Sequence, residues 1–68
     1  MYLTIIIPMY NESGVITTTL ERLRATVMPD FVTGVEVIVA DDCSTDDSVA
    51  MAEDAITRFP GARVLRLP

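Results

Sequence analysis

The sequence predicts an α/β domain, in which a parallel sheet is built from strands and helices that alternate in the order β-α-β-α-β. Short runs rich in β-branched residues alternate with segments whose apolar residues recur every three or four positions. Both connections between strands are long enough to carry a helix back over the sheet. Right-handed crossovers then give the strand order 3-2-1, which is half of a doubly wound sheet.

The first strand and the first helix are predicted from the N-terminal part of the chain. Residues 3–7 are apolar and largely β-branched, and Pro8 is expected to end this strand. Ser13 or Asn11 is the predicted N-cap of the helix that follows, and Pro29 enforces its end. The apolar stripe of this helix comprises Val15, Ile16, Leu20, Leu23 and Val27.

Two more strands complete the predicted sheet. Residues 35–40 form the second strand, which Gly34 opens, and residues 63–67 form a short alternating third strand. In a 3-2-1 sheet the first strand lies at the edge, although its apolar composition on both faces is typical of a central strand. We therefore expect further strands of a larger domain to pair with this edge, or a second copy of the chain to cover it.

The second helix is predicted between the second and third strands. Ser44 or Thr45 is its expected N-cap, and Asp46 and Asp47 are expected in its first turn, where carboxylates suit the helix dipole. Ser44 with Asp47 resembles a capping box that has Asp in place of Glu. The apolar stripe comprises Val49, Ala52, Ile56 and Phe59, and the Pro-Gly pair at positions 60 and 61 ends the helix.

Composition excludes several classes of function. The chain has 68 residues, enough for one small domain, and its net charge of −5 disfavours binding to nucleic acid or anionic membranes. It lacks histidine, and its single Cys43 can form neither an internal disulfide nor a thiolate metal cluster. The cysteine count favours a reducing compartment, and no apolar run reaches the roughly 18 residues of a transmembrane helix.

Two polar loops follow the carboxyl ends of the first two strands, where open parallel sheets bind their ligands. The first loop (residues 8–14) has no glycine-rich phosphate-binding pattern, but its Tyr10 offers a ring that can stack on a nucleobase. The second loop (residues 41–47) is acidic, and its Asp42 is expected to accept hydrogen bonds from a base or a ribose. A diphosphate ligand here would need a divalent cation. The alternative is that Tyr10 packs under its loop and the acidic residues only cap the helix.

The two loops together resemble the start of family-2 inverting glycosyltransferases, a family that includes dolichol-phosphate mannose synthase-like enzymes. The resemblance rests on I-I-I-P-M-Y-N-E at residues 5–12 and on E-V-I-V-A-D-D-C-S-T-D at residues 36–46. It covers essentially the whole chain and implies a GT-A fold, a Rossmann-like α/β domain that uses a nucleotide-diphospho-sugar donor. Cys43 departs from the family pattern, in which Gly or Asn is common at that position.

The resemblance also implies roles for individual residues. Pro8, Tyr10 and Glu12 would line the nucleotide pocket, Asp42 would accept hydrogen bonds from the base, and Asp41 would support the loop. The family's site for a divalent metal (Mg²⁺ or Mn²⁺) and its catalytic base lie further along the chain, so we expect no catalytic residue and no bound metal in residues 1–68. These residues would be the N-terminal nucleotide-binding portion of a glycosyltransferase domain and would transfer no sugar alone. The acceptor would be a lipid phosphate or a saccharide.

Two interpretations from other classes stay open. Residues 37–42 resemble the strand with an acidic pair in receiver-like signalling domains, although there the pair ends the first strand. The chain could instead be a non-catalytic module that forms a homo-oligomer through its first strand. We predict a cytoplasmic location, and any attachment to a membrane is expected from segments outside these residues.

Overall fold

A computed structural model describes the whole chain, residues 1–68, and contains three strands and two helices. The elements are β1 (Tyr2–Met9), α1 (Ile16–Ala25), β2 (Gly34–Asp41), α2 (Ser48–Ile56) and β3 (Ala62–Arg66). β2 is the central strand, and β1 and β3 pair with it in parallel on either side. The predicted α/β fold with its 3-2-1 strand order is confirmed.

β1 is longer than predicted because Pro8 does not end it. Pro8 lies opposite Ala40, and Met9 lies opposite Asp41. The carbonyl of Met9 accepts a hydrogen bond from the amide of Asp42 at 2.9 Å, so Met9 faces β2 and the preceding Pro8 faces the open edge of the sheet. A proline removes no ladder hydrogen bond at that edge, and it is therefore tolerated inside β1.

α1 differs from its prediction at both ends. Neither Asn11 nor Ser13 caps it, and the N-cap position is Val15, which makes no side-chain capping bond. The backbone becomes extended at Thr26, so Val27 lies outside the helix with 90% of its surface exposed. The predicted apolar stripe is therefore wrong at its last member.

α2 begins later in the chain than predicted. Its N-cap position is Asp47, no side-chain capping bond is present there, and the predicted capping box with Ser44 is wrong. Thr45 is likewise no cap, and Asp46 precedes the first turn instead of lying within it. Phe59 lies past the end of the helix but still packs against the core. Neither helix has the length and apolar character that crossing a bilayer requires.

The core lies between the two helices and one face of the sheet. Residues of both helices share a single buried cluster with residues of β1 and β2, so both helices cover the same face. That cluster contains Met9, Ile16, Leu20, Val37, Val39, Ala52 and Ala55. No element of the chain covers the opposite face, where Tyr2, Ile6 and Leu65 are exposed over 66%, 63% and 43% of their surfaces.

Candidate functional site

The carboxyl ends of β1 and β2 meet at one rim of the sheet. The backbone bond from Asp42 to Met9 joins the two loops where they leave the strands. Tyr10 directly follows Met9, so Tyr10 and Asp42 emerge side by side at this rim. Tyr10 is 56% exposed, Asp42 is exposed, and neither side chain makes a hydrogen bond within the chain. Both groups are therefore exposed to solvent without an intramolecular partner.

In each loop, the residue directly after Tyr10 or Asp42 has a left-handed backbone conformation, and the loop bends there. Asn11 has a φ of 49° and Cys43 a φ of 58°. Asparagine tolerates this conformation better than most residues, whereas a cysteine is strained there because of its Cβ. Each loop therefore changes direction directly after Tyr10 or Asp42.

A reciprocal set of hydrogen bonds ties the first loop to the second. The amide of Asn11 donates to Oγ of Ser44 at 3.0 Å. The side-chain Oδ1 of Asn11 accepts from the amide of Thr45 at 2.7 Å and from its hydroxyl at 3.3 Å. The residues predicted as separate helix caps therefore bind each other across the rim, and this fixes the two loops in one relative position.

A second set of bonds runs from the first loop to the start of α2. The amide of Glu12 donates to Oγ of Ser48 at 2.6 Å. The Ser48 hydroxyl donates in turn to Oδ1 of Asp46, which also accepts the Ser48 amide at 2.9 Å. Oδ2 of Asp46 accepts the amide of Ser13 at 3.4 Å. These bonds, above all that from the Ser48 hydroxyl, lower the pKa of Asp46 below its ordinary value of 3.8.

Sequence reasoning missed Ser48, although the pattern contains a signal for it. Ser48 lies on the same face of α2 as Ala52 and Ala55, which are core residues, and it is fully buried. A polar residue at a core position of a helix must find a buried hydrogen-bond partner. Here both the donor and an acceptor position of the hydroxyl are used.

The carboxylates of the second loop fall into two kinds. Asp41 is 2% exposed, and both of its oxygens accept the amide of Ser44 at 3.3 Å, so it supports the turn from below. Asp46 is engaged with Ser48. The exposed side chains of Asp42 and Asp47 make no hydrogen bond within the chain. Only these two carboxylates are open to a ligand, and Asp42 is the one that adjoins the end of β1.

The remaining predicted site residues also lie at the rim. Pro8 is exposed near the end of β1, and the Glu12 side chain is exposed above the start of α2. The rim carries the exposed acidic residues Glu12, Asp42 and Asp47, with exposed Arg66 at the adjoining end of β3. The three ion pairs of the chain involve other residues, namely Glu21, Arg24, Asp54 and Arg58. The rim is an open surface and forms no enclosed pocket.

The residues present do not fit a metal centre. No group of three or more Cys, Asp or Glu side chains in residues 1–68 is arranged to hold a metal ion. Asp41 and Asp42 are adjacent, but Asp41 is buried against the Ser44 amide while Asp42 faces solvent. Of the acidic pair, Asp41 therefore supports the turn, and only Asp42 is exposed.

Comparisons with known proteins identify a family and a similar solved structure. The model of Glycosyl transferase family 2 matches residues 4–68. The crystal structure of S. aureus TarS 1-349 matches with a TM-score of 0.73 and 34% sequence identity, over 98% of this chain and 19% of that chain. No curated protein matches the chain. The chain thus spans about a fifth of the TarS structure that it matches.

Proposed function

The chain belongs to glycosyl transferase family 2, and from that premise we propose that it recognises the nucleoside part of a nucleotide-diphospho-sugar donor. The observation that supports this proposal most strongly is the pairing of Tyr10 and Asp42 at one rim. Both are exposed and both lack an intramolecular partner. An aromatic ring beside a free carboxylate suits a nucleoside, which offers a flat base together with N–H and hydroxyl donors.

Each proposed contact has a definite chemical role. The ring of Tyr10 stacks on the base, a contact worth about 1–3 kcal/mol in proteins that bind single strands. Asp42, which as a carboxylate only accepts hydrogen bonds, receives a base N–H or a ribose hydroxyl. Such charged hydrogen bonds contribute about 1.5–3 kcal/mol. Pro8 and Glu12 flank the bound nucleoside, and Asp41 holds the turn that carries Asp42.

We place the groups that sugar transfer itself requires outside residues 1–68. Inversion at the anomeric carbon needs a base that takes the proton of an acceptor hydroxyl. The acceptor that we propose is a lipid phosphate or a saccharide. A divalent cation offsets the charge of the departing nucleoside diphosphate when it is bound. Because residues 1–68 match only 19% of the TarS chain and fit no metal centre, we assign both functions to residues outside this chain. The chain alone is expected to bind and not to transfer.

Nucleoside titrations followed by ¹⁵N-resolved NMR test the proposal. Uridine, cytidine, guanosine and adenosine are used first, since they avoid repulsion between phosphate and the acidic rim, and the matching diphosphates follow with and without MgCl₂. We expect one base to give saturating shifts at the amides of Tyr10 and Asp42 and in the residues that adjoin them. Shifts spread over the whole sheet, or none with any nucleoside, would contradict the proposal.

A matched pair of variants sharpens this test. Asp42→Asn removes the charge of the proposed contact, and Asp47→Asn removes the same charge from the other exposed and unpartnered carboxylate of the second loop. We expect Asp42→Asn to weaken nucleoside binding about tenfold and Asp47→Asn to leave it within about twofold. Equal losses in both variants would show that only the overall negative charge matters.

A further inference from the structure

We propose that Asp46 and Ser48 are positioning residues that hold the first loop in the conformation that binds the nucleoside, an inference that rests on the proposed function above. The two form a relay in which Ser48 accepts the Glu12 amide at 2.6 Å and donates its own proton to Asp46. Glu12 lies two residues from Tyr10, so this relay anchors the side of the loop that faces away from the strand.

The relay is buried at its centre, and this makes its hydrogen bonds specific. Ser48 is fully buried with the core residues of α2, whereas Glu12 and Asp46 at the two ends of the relay are exposed. Because the Ser48 hydroxyl donates its hydrogen bond to Asp46, the lone pairs of the Ser48 oxygen are directed toward the Glu12 amide. Removal of the hydroxyl leaves that amide without its partner. The first loop is then held to the second only by the bonds of Asn11, by the longer bond from the Ser13 amide to Asp46 and at the strand end.

Asp46 also accepts the backbone amide of Ser48 at 2.9 Å, which by itself would describe a helix cap and nothing more. The two roles are separable in this chain. Ser48→Ala removes the hydroxyl and therefore the bond to Glu12, but it retains the backbone amide that Asp46 caps. Asp46→Ala removes the cap together with the acceptor that directs the Ser48 hydroxyl proton away from Glu12, while the Ser48 oxygen itself remains. A relay predicts that the two variants weaken binding alike, whereas a cap predicts that Ser48→Ala is silent.

The full 68-residue chain carrying each substitution is measured in two ways. Hydrogen exchange of the Glu12 amide, taken without nucleoside, reports the relay directly, and titration with the nucleoside that the wild type prefers reports the site. We expect Ser48→Ala and Asp46→Ala each to lose the protection of the Glu12 amide and to weaken binding about threefold to tenfold. Protection of the core amides of Val37 and Val39 serves as the control for global stability.

A milder variant keeps the test decisive if Ser48→Ala unfolds the chain. Asp46→Asn retains an oxygen for Ser48 but places an NH₂ group against the amide of Ser13, which Oδ2 of Asp46 accepts at 3.4 Å. We expect an intermediate loss, about twofold to threefold in affinity, with a folded core. Unchanged exchange at Glu12, or wild-type affinity in Ser48→Ala, would overturn the inference. Failure of the wild type to bind any nucleoside would instead refute the proposed function, while the exchange of Glu12 still decides whether the relay holds the loop.

Discussion

The first and second loops present their exposed groups by the same backbone device but with different residues. Each places a side chain at the rim, Tyr10 or Asp42, and then bends through a left-handed residue, Asn11 or Cys43. Asn11 uses its side chain to bind Thr45 across the rim at 2.7 Å. Cys43 contributes only a weak thiol contact to the carbonyl of Leu67 at 3.6 Å.

This comparison distinguishes the backbone conformation that each bend requires from the hydrogen bonds that the side chain at the bend adds. Both bends require a positive φ, but only at Asn11 does the residue that adopts it also join the loops. The first loop is therefore expected to be sensitive to substitution at its bend. The second loop is expected to tolerate substitution there, and even to gain from it. The following substitutions test this contrast, beginning with the largest expected effect.

Asn11→Ala should cause the largest loss. Alanine in a left-handed conformation costs roughly 1–2 kcal/mol, and loss of the bonds to Thr45 adds about 1 kcal/mol. We expect the free energy of unfolding in urea to fall by about 2–3 kcal/mol. Asn11→Gly is the control, because glycine keeps the bend without strain and loses only the side-chain bonds. Equal stability of the two variants would show that the bend carries no strain.

Tyr10→Ala should weaken nucleoside binding about tenfold, because the stacking ring is lost. Tyr10→Phe keeps the ring and should bind within about twofold of the wild type. Both variants should unfold at the wild-type urea concentration, since Tyr10 is 56% exposed and its hydroxyl makes no intramolecular hydrogen bond. If affinity falls only in proportion to stability, Tyr10 packs its loop and does not contact the ligand.

Cys43→Gly should have a smaller effect of opposite sign. Relief of the left-handed strain outweighs the entropy that glycine adds to the unfolded chain, and we expect a gain of about 0.5–1 kcal/mol in the free energy of unfolding. Cys43→Ala, which keeps a Cβ at the same φ of 58°, is the matched control and should be nearly neutral. A loss of stability in Cys43→Gly would contradict the strain that we assign to this bend.

The smallest effect is the pH dependence that comes from Asp46. Hydrogen bonds from Ser48 and Ser13 lower its pKa below 3.8 in the folded chain. The ionised group therefore stabilises the fold fully above about pH 4, and this contribution is lost as the pH falls through the lowered pKa. Asp46→Asn should flatten the acid limb of a stability–pH profile and leave its neutral region parallel to the wild type. An acid limb unchanged in Asp46→Asn would contradict the assignment.

The sequence predicted the element order and the strand order well, because both depend on periodicity and connection length. It failed at the helix starts, since the residues that looked like local caps bind partners more than 30 positions away, such as Asn11 with Thr45. Local propensity cannot reveal such competition. It also failed at Val27, where the apolar spacing continues but the helix does not, because the backbone is already extended at Thr26, before Val27 is reached.

The location of the candidate site could be predicted from the sequence, but the different roles of its residues could not. Two loops at the carboxyl ends of adjacent parallel strands must meet, so the rim followed from topology alone. Which aspartate is buried depends on the alternation of side chains along β2. Asp41 lies on the same face as Val37 and Val39, and Asp42 is exposed. The core position of Ser48 in α2 indicates that its hydroxyl needs a partner, but that partner, the amide of Glu12, is set by the packing of α2 against the first loop.

Intermolecular NOEs between a bound nucleoside and the chain test the central claim most directly. The claim is that one nucleoside contacts both loops at once. We predict NOEs from the base protons to the ring protons of Tyr10, together with a shift of the Asp42 amide that saturates at the same concentration. NOEs confined to the uncovered sheet face at Ile6 and Leu65, with Tyr10 and Asp42 unaffected, would contradict the account.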